Sequence, residues 1–201
     1  DKQAIVDTTY FGQYSVANGI TSPAKLPDQA EDGAAVCPQR DVEAAKKFLA
    51  DAGKKNLTIP LYYSKGNSGQ DAEDNATLLV AQLAEAGITA QLTEEPDATK
   101  FFGGAIQGSY PMFVFLWGAN VPDAGYSLSA WFGGKSILNF SKFDNADATA
   151  ALASAVAKPI DDPSRNDDLK AFQRIFMQNA ASVPLANLVN QYIVHKSLCG
   201  L

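Results

Sequence analysis

The sequence predicts an α/β fold, with a mixed sheet flanked by helices, from two patterns and their order. Leu57, Ile59, Leu61 and Tyr63 recur at every second residue, the period of a strand. Met112 to Trp117 is a nearly continuous apolar run, as expected of a strand covered on both faces. Helical stripes stand between and around these segments, and strand, helix, strand, helix, strand is the order of a layered α/β unit. The chain has 201 residues, 46% hydrophobic and 19% charged, which supplies a sizeable core for one domain spanning residues 1–201.

Taken in order, Lys2 to Tyr10 reads as a short helix with Ile5 and Val6 inward, stopped near Gly12. Residues 15–39 are rich in Pro and Gly without a period and read as a long surface loop. Asp41 caps a helix whose apolar positions are Val42, Ala45, Phe48, Leu49 and Ala52, with Gly53 just past its end. Leu57 to Tyr63 is the first strand, and Pro60, which has no N–H to give a ladder, assigns it to a sheet edge. The loop Ser64 to Gln70 leads to a helix from Asp71 to Ala86 with Ala72, Ala76, Leu79, Val80 and Leu83 on one stripe. Ile88 to Thr93 is the next strand, Asp97 to Gln107 a Gly-interrupted helix, and Met112 to Trp117 the buried strand. Helices follow at Ala146 to Ala157 and Pro163 to Ala181, the latter with Leu169, Phe172, Ile175 and Phe176 at helical spacing. Leu188 to Lys196 is a closing strand candidate.

Charge and motifs narrow the function. The net charge is −6 and the pI about 4.7, with acids and bases interspersed and no Lys/Arg cluster to follow a phosphate backbone, so nucleic acid is not an expected partner. No apolar run approaches the roughly 20 residues that span a bilayer. The opening DKQAIVDTTYFG reads as the middle of a helix rather than a start, so the chain is expected to be a fragment. Cys37 and Cys199 form neither a zinc nor a CxxC pattern; they either pair or remain buried small apolar residues. The single His195 stands far from any nucleophile, and GxSxG, HExxH and glycine-rich phosphate loops are absent. Asp144, Asp147, Asp161, Asp162, Asp167 and Asp168 fall at helix starts, where carboxylates suit the positive end of the helix dipole. An enzyme, a metal site and a cofactor are therefore not expected.

The distinctive stretch is FLWGANVPDAGYSLSAWFG, Phe115 to Gly133. It leaves the carboxyl end of the predicted interior strand, where open α/β sheets bind ligands, and it holds both tryptophans. Trp117, Gly118, Asn120, Asp123 and Tyr126 are the candidate ligand-binding residues; Asn67 and Ser68, on the loop after the first strand, are secondary ones. Each has a plain alternative: Trp117 packing on a helix, Tyr126 covering its own loop, Pro122-Asp123 an ordinary turn, Ser64 to Gln70 a simple βα connection. For Trp131, within SLSAWFG, core packing beside Leu128 and Phe132 is the expected role.

The order DKQAIVDTTYFGQ, RDVEAAKKFLADAG, NATLLVAQLAEAGITAQLTE, FVFLWGANVPD, FQRIFMQNAASVPLANL resembles the second large lobe of the bacterial extracellular solute-binding proteins of family 5, the oligopeptide-, dipeptide- and nickel-type receptors of ABC importers. The resemblance implies a periplasmic-binding-protein type II-like lobe, a missing first lobe, a ligand enclosed between lobes, and delivery to an ABC permease. It also implies a periplasmic or extracellular, membrane-associated location and an oxidising compartment that favours a Cys37–Cys199 disulfide. In the family pattern the residue three after this Trp is often acidic and receives a peptide's amino terminus; here it is Asn120, which offers only a neutral bond. The Arg that oligopeptide-type members carry shortly before the Trp is replaced by Phe113, Val114, Phe115 and Leu116. These departures favour a peptide without clamped ends or a neutral oligomer such as a short oligosaccharide. The alternative is a non-transport sensor or scaffold that presents a ligand to a membrane partner on the same fold.

Overall fold

A computed structural model describes residues 1–23, 25–36, 39–54, 56–118, 121–188, 195 and 197. In chain order the elements are α1 (Lys2–Thr9), β1 (Ser15–Val16), α2 (Gly33–Val36), α3 (Val42–Asp51), β2 (Leu57–Tyr63), α4 (Lys65–Ser68), α5 (Gln70–Glu85), β3 (Ile88–Glu94), α6 (Ala98–Gln107), α7 (Ala124–Phe132), α8 (Ala146–Ala157), α9 (Pro163–Gln178) and β4 (Ala186–Asn187). Their starts are written locally. Asp41, Ser64, Asp97, Asp123, Asn145 and Asp162 each accept a backbone N–H of the first turn that follows, satisfying donors a helix cannot pair itself. Pro163 sits in the first turn of α9, where its missing N–H costs nothing.

β2 and β3 pair in parallel, in register from Leu57 opposite Ile88 to Tyr63 opposite Glu94. On the other side of β2, Tyr62 bridges Phe113 in parallel, through Tyr62 N–H to the Met112 carbonyl and Val114 N–H to the Tyr62 carbonyl, each 2.9 Å. Two sequence expectations change here. β2 is flanked on both sides rather than at an edge. Pro60 is tolerated because residues 60 and 62 point the same way in the pleat; its missing donor faces the neighbour two residues before that pairing begins. The Met112–Trp117 segment, in turn, makes one bridge rather than a full strand, although side chains pack on both of its faces.

Those faces define the layers. Leu61, Tyr63, Ala90 and Val114 pack with Ala72 and Ala76 of α5, joined by Met112, Leu79, Val80 and Leu83. On the opposite face Tyr62 stacks on Tyr110, and Phe101 of α6 packs on Tyr110, Phe113 and Phe115. A second core joins α7, α8 and α9 through Leu128, Phe132, Leu152, Leu169, Phe172 and Phe176, with Ile20 inserted from the segment before α2. Residues 15–39 are therefore more than a surface loop. Ala17, Ile20, Thr21 and Ala30 are buried, and Gln173 of α9 bonds Thr21, the Gln29 carbonyl and the Glu31 amide. By contrast α3 buries none of its residues, and Phe48 is 74% exposed. Its predicted apolar stripe exists, but the described core does not cover it.

Ser64 to Gln70 is also more ordered than a plain loop: it contains α4. Ser64 is fully buried, and its hydroxyl accepts the Asn67 amide at 3.3 Å. A Cβ at Gly66 would stand 2.3 Å from the Pro96 carbonyl oxygen, so α4 can lie against the end of β3 only because that residue is glycine. The predicted closing strand falls mostly outside the described residues, as do Cys37 and Cys199. His195 is exposed and shares Nδ1 with the Ser197 hydroxyl at 2.8 Å.

A Gly66→Ala substitution should therefore destabilise the protein by about 1–3 kcal/mol through overpacking. Gly103→Ala, at a helical position with nothing within 4 Å of the added Cβ, should stabilise it by roughly 0.5–1 kcal/mol. Urea denaturation of both variants checks the pair.

Candidate functional site

The parallel pairing of β2 with both β3 and the 112–114 segment brings their carboxyl ends to one edge of the sheet. Two sequence-predicted groups leave from that edge. Asn67 and Ser68 lie in α4, directly after β2, with the Ser68 hydroxyl donating to Asn67 Oδ1 at 2.8 Å. Trp117 and Gly118 follow the bridged segment. Among the described residues no hydrogen bond joins Asn67 or Ser68 to the Trp117–Tyr126 stretch, so the two groups share an edge without touching through polar contacts. Below α4, Tyr63 donates to Glu73 at 3.2 Å, and Lys65 lies 3.2 Å from Glu73 and 3.7 Å from Glu94. Burial and then these carboxylates raise the Tyr63 pKa above its ordinary value.

The indoles do not stand alone. Alternation along the chain sends Phe113, Phe115 and Trp117 to one face, away from Val114. Phe115 meets Trp131 at 6.0 Å and Phe140 at 5.0 Å; Trp117 lies on Trp131 at 5.5 Å and edge-on to Phe132 at 5.3 Å. Phe132 continues to Phe176 at 4.9 Å. These separations fall within the range where aromatic pairs add about 0.5–1.5 kcal/mol each beyond area burial. Both indoles are half-buried, and Gly118 beside them is exposed. The result is a supported aromatic cluster of tilted and edge-on rings in which both indoles keep part of their surface open.

Asp123 closes the stretch. Its carboxylate accepts the Tyr126 amide at 3.0 Å and two bonds from Arg165 Nη2, at 2.8 and 2.9 Å. Asp123 is 8% and Arg165 4% exposed, so this is a buried ion pair joining the start of α7 to α9. Burial pushes the Asp123 carboxyl up, but Arg165 and the backbone amides outweigh it and hold the group below its ordinary value. A cavity of about 560 Å³ lies over the pair, lined also by Tyr126, Ser129, Val156, Lys158 and Ile160. Tyr126, 57% exposed, presents its ring there. Asn120 lies outside the described residues. Arg165 is the residue the sequence reading missed: its partner is 42 positions away, and an Arg in a first helical turn among Asp residues carries no local signal of that pairing.

The fold is α/β with its candidate ligand loops at the carboxyl edge of a parallel sheet, and the structural neighbours are type II periplasmic binding proteins. The profile of the bacterial extracellular solute-binding proteins, family 5 Middle, matches residues 1–139, and the chain belongs to that family. Among solved structures, HbpA2 from Haemophilus parasuis is similar at 26% identity and a TM-score of 0.78, over 92% of this chain and 37% of that one. AgaA from A. tumefaciens R10, in complex with agropinic acid, is similar at 24% identity and a TM-score of 0.78, over 92% of this chain and 38% of that one. AppA from Bacillus subtilis, in complex with a nonapeptide, shares the fold at 19% identity and a TM-score of 0.76, over 92% and 39%. The chain thus spans under two fifths of the length of these three relatives. No curated protein matches it. The family is one of solute-binding proteins of the periplasm or extracellular space; among the described residues no helix is long and apolar enough to cross a membrane.

The depressed Asp123 carboxyl gives stability that is fully present above its unfolded pKa and lost as pH falls through the lower folded value. Asp123→Asn, which leaves Arg165 buried without its counter-charge, should cost about 3 kcal/mol at pH 7. The difference between wild type and variant should persist at pH 5 and shrink below about pH 4. Urea midpoints measured across that range test it, and a difference independent of pH would contradict it.

Proposed function

We propose that this chain is one ligand-binding lobe of a two-lobed receptor that captures a peptide or a neutral oligomer between its lobes and delivers it to an ABC permease at the membrane. The observation that carries this reading is the Trp117 indole, seated on Trp131 at the carboxyl edge of the sheet with exposed Gly118 beside it. An indole backed by a second indole offers a rigid apolar face that suits a sugar ring or a peptide side chain equally. The Gly118 backbone and the Tyr126 phenol supply the few polar groups such a pocket needs for orientation, with Asn67 and Ser68 on the same edge as further contacts.

Charge selects among ligands. Asp123, the acid on this stretch, is engaged by Arg165 and by its own helix, so it is not free to receive an ammonium. The described part of the loop then favours ligands held by neutral hydrogen bonds and stacking over zwitterions clamped at both ends. Proteins that share this fold have been solved with agropinic acid and with a nonapeptide. Closure of the two lobes is populated when the ligand binds the closed state better than the open one, so a single lobe binds weakly and the paired lobes bind tightly.

The test is a tryptophan-fluorescence titration of the two-lobed protein with a pool of short peptides and, separately, with short oligosaccharides. A saturable change is expected, and Trp117→Ala should weaken it about ten-fold or more, equivalent to at least about 1.4 kcal/mol. Equal affinity in the variant would place the ligand elsewhere.

A further inference from the structure

We propose that Arg165, which acts through Asp123 rather than through the ligand, is a positioning residue for the ligand loop. The proposal rests on reading the Trp117–Tyr126 stretch as ligand-facing and adds what sets its geometry. That stretch is anchored upstream by the aromatic contacts of Phe115 and Trp117. Downstream its anchor is Asp123, where the chain enters α7.

Three features make this downstream anchor steep. First, both bonds from Arg165 to Asp123 leave from Nη2, while Nε and Nη1 are buried without partners. The buried guanidinium thus relies on Asp123 as its counter-charge, and any drift of Asp123 leaves a buried cation uncompensated, which proteins tolerate poorly. Second, the approach is too close for a side chain: a Cβ on Gly125 would stand 2.3 Å from Nη2 and 3.0 Å from Asp123 Oδ1. Third, α9 grips the same helix start a second time. Gln173 donates to the Gln29 carbonyl at 2.7 Å, and Gln29 Oε1 accepts the Ala124 amide at 2.8 Å. Tyr126, whose amide bonds Asp123, is carried by the same turn.

Stability alone is a poor reason for such a pair, because well-packed apolar residues in place of a buried ion pair are often neutral or stabilising. What the ion pair supplies is a defined position for Asp123, and through it for Tyr126 and for α7, whose Trp131 and Phe132 carry the Trp117 ring.

The experiment uses the ¹⁵N-labelled full chain, with Trp117 assigned by Trp117→Phe. Arg165→Met should shift the Trp117 indole signal and the amide signals of Gly118, Val121 and Tyr126, leaving those of Leu61, Ala76 and Ala90 in place. Arg165→Lys should restore most of the shift, since one ammonium can still meet Asp123. Gly125→Ala, which crowds Nη2 with the charge intact, should reproduce the Met pattern. In the two-lobed protein, Arg165→Met and Gly125→Ala should weaken binding of the peptide pool or the oligosaccharides by about ten-fold, with Arg165→Lys recovering most of it. Unmoved Trp117 and Gly118 signals in Arg165→Met would overturn the proposal, as would moved signals with unchanged affinity. Shifts spread equally over the sheet in all three variants would also overturn it, by making Arg165 a general folding element. Trp117→Ala run alongside separates the two readings: unchanged affinity there rejects the loop as the ligand site, whatever Arg165 does to its position.

Discussion

Phe113, Phe115 and Trp117 project to one side of a segment held to the sheet by a single bridge, and most of what surrounds them depends on that row. Two hydrogen bonds, at the Met112 carbonyl and the Val114 amide, are too few to fix six residues. The ring contacts do it instead, from Phe101 of α6 through Phe115 to Trp131, and from Trp117 through Phe132 to Phe176 of α9. The row runs from the α6 side of the sheet into the helical core, so those two packed layers share one continuous aromatic seam. Close-packed interiors transmit displacement rather than absorb it, and a shift of this row would be felt in both cores.

The same row explains why two tryptophans flank a turn-rich loop. Trp131 gives its area to the seam and Trp117 lies on it, so one indole supports the other. The residues on either side of that loop are fixed by tertiary contacts: the packed indoles before it and the Asp123–Arg165 pair after it. Ligand sites need this combination of open surface and fixed geometry, which explains why they sit on loops held by a rigid scaffold.

What the sequence made legible was local. The bounds of β2 and α8 follow from periodicity and from a cap or a Gly placed next to them, and α5, β3 and α6 lie within a residue or two of expectation for the same reason. Most of the failures are matters of partners. Pro60 says that a donor is missing but not which side of the strand it faces. The α3 stripe says that a helix has an apolar face but not what covers it, and Phe48 stays exposed. Ser64 with Asn67 three residues on could have been read as a capped turn, since a serine preceding a short polar run is an N-cap signal. The place of Trp117 and Gly118 at the carboxyl edge of the sheet was legible because a turn-rich loop follows an apolar run; that Tyr126 lies in α7, over Asp123 and Arg165, was not. The role of Asp123 was hidden, because its partner Arg165 lies on an element that only the tertiary fold brings near.

Everything proposed for this chain turns on the supported indole at the sheet's carboxyl edge facing the ligand. The most direct measurement is a crystal structure of the two-lobed protein grown with the ligand that titration selects. Ligand atoms should lie in van der Waals contact with the Trp117 ring, within about 4 Å, with the Asp123–Arg165 pair intact. A ligand bound away from Trp117, with that indole covered by protein, would contradict it.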